Sequence, residues 1–547
     1  MELSPHSSDG KDKVPIGIAS NEVVPVGGEV SLKRNLTALN IIGLSLSICN
    51  GWAAMSSTIV ISSFAPPFMC LTSQQVIGLS QGGTPVVLYG LIFTSLINFF
   101  LALTLGEMAA AYPSAGGQYV WSSILAGPRT RRGLSFIVGW VTIFEWITTV
   151  ASVVIISAEV VLAIAQLFNE DFVIQRWMVF VVFMAFNSIS FVFNLLAAIR
   201  TPWIGKVFLF FSSTVFLVIL ITCVAKTPSY QSNHFVWGTY TNGIGWNNGF
   251  VVVATGLVNP AYVFAGLDGA IHIAEDCLAP ARAVPYALFS TVGMGLFTGF
   301  AMSVGLLYCI QDLDAALASE LPFLAIVQQS ISNRAGTTIL MVSFLLCLMV
   351  SSNSVHQATS RLIWSFARDQ GMPWAKQLGT IHPTLRVPVI PLTISFAGVT
   401  ILGALYVGST TVYGSIIACC IILGNISYAI PATVLMLRGR KMNPARWLKL
   451  GGLGWVANII TVVWCLFTTV MWLFPLEPKP TSSEMNYSVA VLGGMALIML
   501  ADWVFWGRKH FIGPDVSTLR IVIDGVRDTS VIGSYEASPY AHKVQDE

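Results

Sequence analysis

Charge is what this chain has least of. Asp, Glu, Lys and Arg make up 10% of its 547 residues, less than half of the roughly 25% usual in soluble domains. So thin a supply cannot cover a water-facing surface. The formal net charge of +2 offers no footing for nucleic acid or for an acidic partner. The first 34 residues are polar and lack the short apolar core and small-residue cleavage site of a signal peptide. The nine cysteines lack metal-ligand spacing and read as no disulfide framework. No nucleophile stands at convincing spacing from a base, and nothing calls for a metal or a cofactor, so an enzyme is not expected.

What fills the space is apolar: 55% of the residues. A bilayer core of about 30 Å takes roughly 20 apolar residues per helical crossing. No charged residue lies between Arg34 and Glu107, nor from Val387 to Leu437, and each stretch suits two crossings. Runs of that length predict an all-α integral membrane protein of about twelve spans. They fall near residues 38–63, 84–111, 136–168, 177–199, 203–225, 248–273, 284–310, 336–358, 387–408, 412–437, 453–474 and 487–507. The third is over-long for an upright helix and should tilt or protrude.

Basic residues test the count independently, because loops facing the cytosol collect Lys and Arg. With a cytosolic amino terminus, 24 of the 28 fall inside, and only Arg176, Lys226, Arg334 and Lys479 fall outside. A missed or invented span would scramble that bias. Both termini are therefore expected in the cytosol, most readily at the plasma membrane.

Two spans carry residues that plain membrane helices avoid. The first reads SLSICNGWAAMSS, with Asn50 and Gly51 at mid-depth between flanking serines, and the sixth places Asn259, Pro260, Gly266, Asp268 and Gly269 in one crossing. Proline removes a backbone donor and glycine tolerates unusual dihedrals. Unwound backbone at that depth needs cover from protein or a water-filled cavity. Two broken helices five spans apart point to an inverted-repeat transporter with its solute at the breaks.

Three blocks then carry a resemblance. GEMAAAYPSAGGQYVW (106–121) closes the second span, FAGLDGAIHIAEDCLAPARAVP (264–285) follows the sixth, and ATSRLIWSFARDQGMP (358–373) reads as a loop after the eighth. In this order they resemble the amino acid, polyamine and organocation permeases, in the branch with fungal GABA and choline permeases. The resemblance implies two inverted five-helix repeats of LeuT-like fold, about 36–226 and 246–438. Two peripheral helices, about 453–507, and cytosolic tails, 1–35 and 508–547, complete that plan. It further implies alternating-access transport of a small amino acid or amine such as GABA, choline or a polyamine, commonly with a proton as coupling ion. A nutrient sensor on the same fold is the alternative. Carried over by position, the breaks are Ser47–Ala54 and Tyr262–Asp268. The solute-binding set is then Ser47, Cys49, Asn50, Gly51, Trp52, Ala53, Tyr262, Phe264, Ala265, Gly266 and Asp268.

Glu145 joins that set on its own chemistry. An ionised carboxylate facing lipid in mid-span is expensive, so it must face protein, water or a partner. There it would meet a substrate ammonium, carry a proton, or pack as a bonded neutral group. Tyr262, Phe264 and Trp52 are candidate aromatic walls. His272 and His356 read as hydrogen-bonded structural residues. Glu107, Glu275, Asp276, Arg361, Arg368 and Asp369 read as inner-face ion pairs.

Overall fold

The computed structural model describes residues 36–58, 79, 81–169, 171–196, 203–408, 411–475, 477–480 and 485–514. The tail expected at 1–35 lies outside that set, and so does the tail expected at 508–547 from residue 515 onward. Eleven helices of the described part are long and apolar enough to cross a membrane. The remaining crossing is the sixth, which is interrupted: Gly249–Gly256 and Val258–Tyr262 make one half and Gly269–His272 the other. The first span is Ala38–Cys49 followed by Gly51–Thr58. Spans two to five are Gly83–Ala111, Arg131–Phe168, Arg176–Leu196 and Ile204–Lys226. Spans seven to ten are Pro280–Cys309, Arg334–Arg368, Val389–Gly408 and Thr411–Leu437. Gly452–Met471 and Ser488–His510 come last. An even number of crossings puts both ends of the described chain on one face, the terminal face.

The eighth span corrects one expectation. It continues through ATSRLIWSFAR to Arg368, so most of the block read as a loop is helix. Neither Gly nor Pro intervenes before Gly371 and Pro373, and nothing stops the ladder earlier. A short buried helix, Gln118–Leu125, follows the second span, and a second short one, Pro322–Ile331, precedes the eighth.

Packing partners reveal the repeat. Spans two and seven, three and eight, and four and nine each pack on one another. Further contacts occur in matched pairs: three on four as eight on nine, three on nine as eight on four, and three on ten as eight on five. All of these map onto themselves when spans one to five are exchanged with six to ten. With an odd number of crossings per unit, the second unit must enter the membrane from the opposite side, which makes the repeat inverted. Spans one and six, exchanged by the same operation, hold the two breaks.

Close approach at the centre depends on small residues, as in membrane bundles generally. A Cβ on Gly51 would lie 2.7 Å from the Gly295 Cα, so spans one and seven cross there with no room for a side chain.

Candidate functional site

The first span breaks at a single residue. Asn50 takes φ 27° and ψ 62°, and its carbonyl accepts from the amides of Ala53 and Ala54 at 2.9 and 3.0 Å. The break expected over Ser47–Ala54 is therefore narrower. The flanking serines do not unwind the helix, because each returns its hydroxyl to a carbonyl of its own turn: Ser47 to Leu44, Ser56 to Trp52, Ser57 to Ala54.

The sixth span breaks over Val263–Asp268. There the amides of Phe264, Ala265, Leu267 and Gly269 each bond the carbonyl three residues back, at 2.9–3.1 Å. Tight turns thus re-satisfy the backbone at membrane depth. Gly266 supplies a φ of +75° within the break, where a Cβ would press on Ile48. The Cys49 thiol donates to the Ala265 carbonyl at 3.4 Å and ties the two breaks together.

Between them lies a small cleft walled by spans one, three, six and eight. Asn50, Ala53, Thr149, Tyr262, Ala265 and Ser351 supply its distinctive surface. No Asp, Glu, Lys, Arg or His is among its described lining residues. Tyr262 is held by Ser152 at 2.8 Å, hydroxyl to hydroxyl. A second small crevice, between spans one, five and seven, shares Cys49 and Asn50 with the first.

The charged groups sit beside the cleft, fully buried. Glu145 lies one turn from Thr149 along span three, and its carboxyl meets the hydroxyls of Tyr428 and Ser427 at 3.2 and 3.3 Å. The same Tyr428 hydroxyl lies 2.8 Å from Asp268 Oδ1. Asp268 Oδ2 meets Gln118 Nε2 at 2.5 Å, His272 Nε2 at 2.9 Å and Trp146 Nε1 at 3.4 Å. His272 Nδ1 stands 2.8 Å from the Ala115 carbonyl, which can only accept, so that nitrogen carries a hydrogen. One phenol proton cannot serve two carboxylates at once. The Glu145–Tyr428–Asp268 link is complete only when one of the carboxyls carries a proton of its own.

Ion pairs close the terminal face below. Arg361 binds Asp276 at 3.2 Å, and Arg368 grips both oxygens of Glu275 at 3.0 and 3.1 Å. Burial pushes the Asp276 carboxyl above its ordinary value, Arg361 pulls it back, and Glu275 adds to the upward push. The Leu36 amide donates to the Asp276 carbonyl and the Leu278 amide to the Leu36 carbonyl, so the entry to span one is strapped to the same linker. Glu107, at the end of span two, receives Arg440 and Arg446 from the linker after span ten.

Of the residues singled out from the sequence, Cys49, Asn50, Ala53, Tyr262 and Ala265 line the cleft. The others lie elsewhere. Ser47 bonds Ser354 at 2.6 Å, and Gly51 faces Gly295. Trp52 and Phe264, expected as aromatic walls, are turned away: Trp52 donates to Ser212 and packs on Phe216 and Phe344, while Phe264 packs toward Gly295. Gly266, Asp268 and Glu145 sit behind the wall. His356 is bonded by Ser395 and Asn187, each at 2.9 Å. Gln118, Thr149, Ser212, Ser351 and Tyr428 escaped sequence reasoning, because a neutral polar residue in an apolar run gives no sign of which neighbour it faces. Gln118 alone had a signal, its place in the block at 106–121.

A family model described as amino acid permease matches residues 39–496. A choline transporter of Saccharomyces cerevisiae is 32% identical, the match covering 90% of this chain and 85% of that one. A putative amino acid/polyamine transporter of Macrophomina phaseolina is 28% identical over 82% and 97%. A 7-keto 8-aminopelargonic acid transporter of Saccharomyces cerevisiae is 24% identical over 85% and 90%.

Proposed function

The chain belongs to the amino acid permease family, and from that premise we propose that it is a proton-coupled carrier of a small amine or amino acid. It is a multi-pass membrane transporter and not an enzyme. The solute occupies the cleft between the breaks at Asn50 and Val263–Asp268. The observation that carries this reading is the Tyr428 hydroxyl shared between two buried carboxylates behind that cleft. Asp268, which receives the Gln118, Trp146 and Tyr428 donors, is arranged as the carboxylate, and Glu145 holds the exchangeable proton against Tyr428. Thr149 lines the cleft and bonds the Glu145 backbone at 2.8 Å, so a solute seated there presses on the segment that presents the acid.

Choline ranks first among solutes, on the relative at 32% identity and on the tyrosine that a quaternary ammonium would meet. The charge bias of the loops supports a cytosolic position for both termini, and the plasma membrane is the site such uptake would serve. The pairs at Glu275, Asp276, Arg361 and Arg368 then form the inner gate, which opens as spans one and six move against three and eight.

Transporter-deficient cells expressing the chain and offered labelled choline, GABA, putrescine, and neutral and basic amino acids test this directly. The expected result is saturable uptake of one class, abolished by a protonophore. Binding without uptake would make the chain a sensor and overturn the proposal.

A further inference from the structure

The break in span one is held from an unexpected quarter. Ser212, on span five, is buried and receives Trp52 Nε1 at 3.0 Å. An indole only donates, so this bond occupies a Ser212 lone pair and leaves the hydroxyl proton free to go elsewhere. It goes to Asn50 Oδ1, at 3.1 Å. Asn50 is 7% exposed, and with its oxygen turned to span five the other arm of the planar amide, Nδ2, has no partner among the described residues. An unpaired donor at that depth costs about 1–3 kcal/mol, and Asn50 lines the cleft.

We propose that Ser212 and Trp52 together fix the Asn50 carboxamide so that its NH2 group faces the cleft and reads a hydrogen-bond acceptor on the solute. Ser212 is the positioning residue, and Asn50 makes the contact. The cargo is therefore an amine that also bears an acceptor, a hydroxyl or a carboxylate, and not a simple polyamine. No charged side chain competes for that acceptor, since no Asp, Glu, Lys, Arg or His is among the described lining residues of the cleft. The inference rests on the reading of the cleft as the solute site.

The test pairs each carried solute with its acceptor-free analogue: choline with ethyltrimethylammonium, and GABA with butylamine. In the unmodified chain, the acceptor-bearing solute is preferred by about ten-fold, the scale of one hydrogen bond. Ser212→Ala is expected to collapse that preference to about two-fold, raising KM for the acceptor-bearing solute with kcat little changed, and Ser212→Thr restores it. Ala53→Phe, which fills the cleft, separates the two claims. If Ala53→Phe transports normally, the cleft is not the solute site. If Ala53→Phe is dead while Ser212→Ala lowers both solutes equally, the cleft stands and the role given to Ser212 is wrong. Saturable uptake of putrescine in preference to choline and GABA also overturns the inference.

Discussion

The two breaks solve one physical problem in different ways. Span one turns at a single residue held by neutral partners, the carboxamide of Asn50, the hydroxyl of Ser212 and the indole of Trp52. Span six turns over six residues and ends on Asp268, a carboxylate ringed by Gln118, His272, Trp146 and Tyr428. A neutral hinge can discriminate among solutes without storing charge. A charged one can hold or release a proton without touching the solute. The inverted repeat supplies both from one architecture, and in the proposed mechanism side-chain chemistry separates their tasks.

The comparison breaks most severely at the charged end. Asp268→Leu removes one acceptor group and strands its donors, and breaking a buried pair this way costs about 3–5 kcal/mol. Little folded protein is expected, with a clear fall in the thermal midpoint of the detergent-solubilised transporter. An unchanged midpoint would remove Asp268 from its structural place. Gly51→Ala attacks the neutral end. Its Cβ would meet the Gly295 backbone, so spans one and seven must part, and uptake should fall by about a hundred-fold or more while the protein still reaches the membrane, as a 1 Å misplacement near a site can do. Normal uptake would show that the crossing tolerates separation.

Tyr428→Phe sharpens the contrast. Removing the shared hydroxyl uncouples the carboxyls and is expected to lower proton-driven uptake about ten-fold, with solute affinity little changed because Tyr428 does not line the cleft. A change in affinity alone, read from uptake kinetics, would put Tyr428 at the solute instead. The smallest effect belongs to Arg368→Ala. Its pair with Glu275 is partly exposed, and such pairs contribute about 0–1 kcal/mol, so uptake should change no more than about three-fold. A larger loss would show that this pair governs closure by itself.

How far these regions could be read in advance follows the same divide. The spans were legible because lipid demands long apolar runs, and the breaks because Asn, Pro and Gly interrupt them. Glu145 and Asp268 were conspicuous as rare charges at depth. The width of the first break was not, since Ser47, Ser56 and Ser57 satisfy their own helix and leave Asn50 alone to turn it. Nor was the facing of Trp52, which helical period leaves equally free to meet the solute or span five. Tyr428 sits in an uncharged run where packing explains a tyrosine as readily as proton traffic does. Its role emerges only when span ten is brought against spans three and six.

Glu145→Gln in proteoliposomes tests the division of labour most directly, by comparing solute exchange at equal pH with accumulation against a gradient driven by protons. Glutamine keeps the shape and the hydrogen bonds but cannot give up a proton. The expected result is exchange close to the unmodified rate with proton-driven accumulation lost. Accumulation that survives with its pH dependence intact would contradict the assignment of the proton to Glu145 and, with it, the claim that the charged break drives what the neutral break selects.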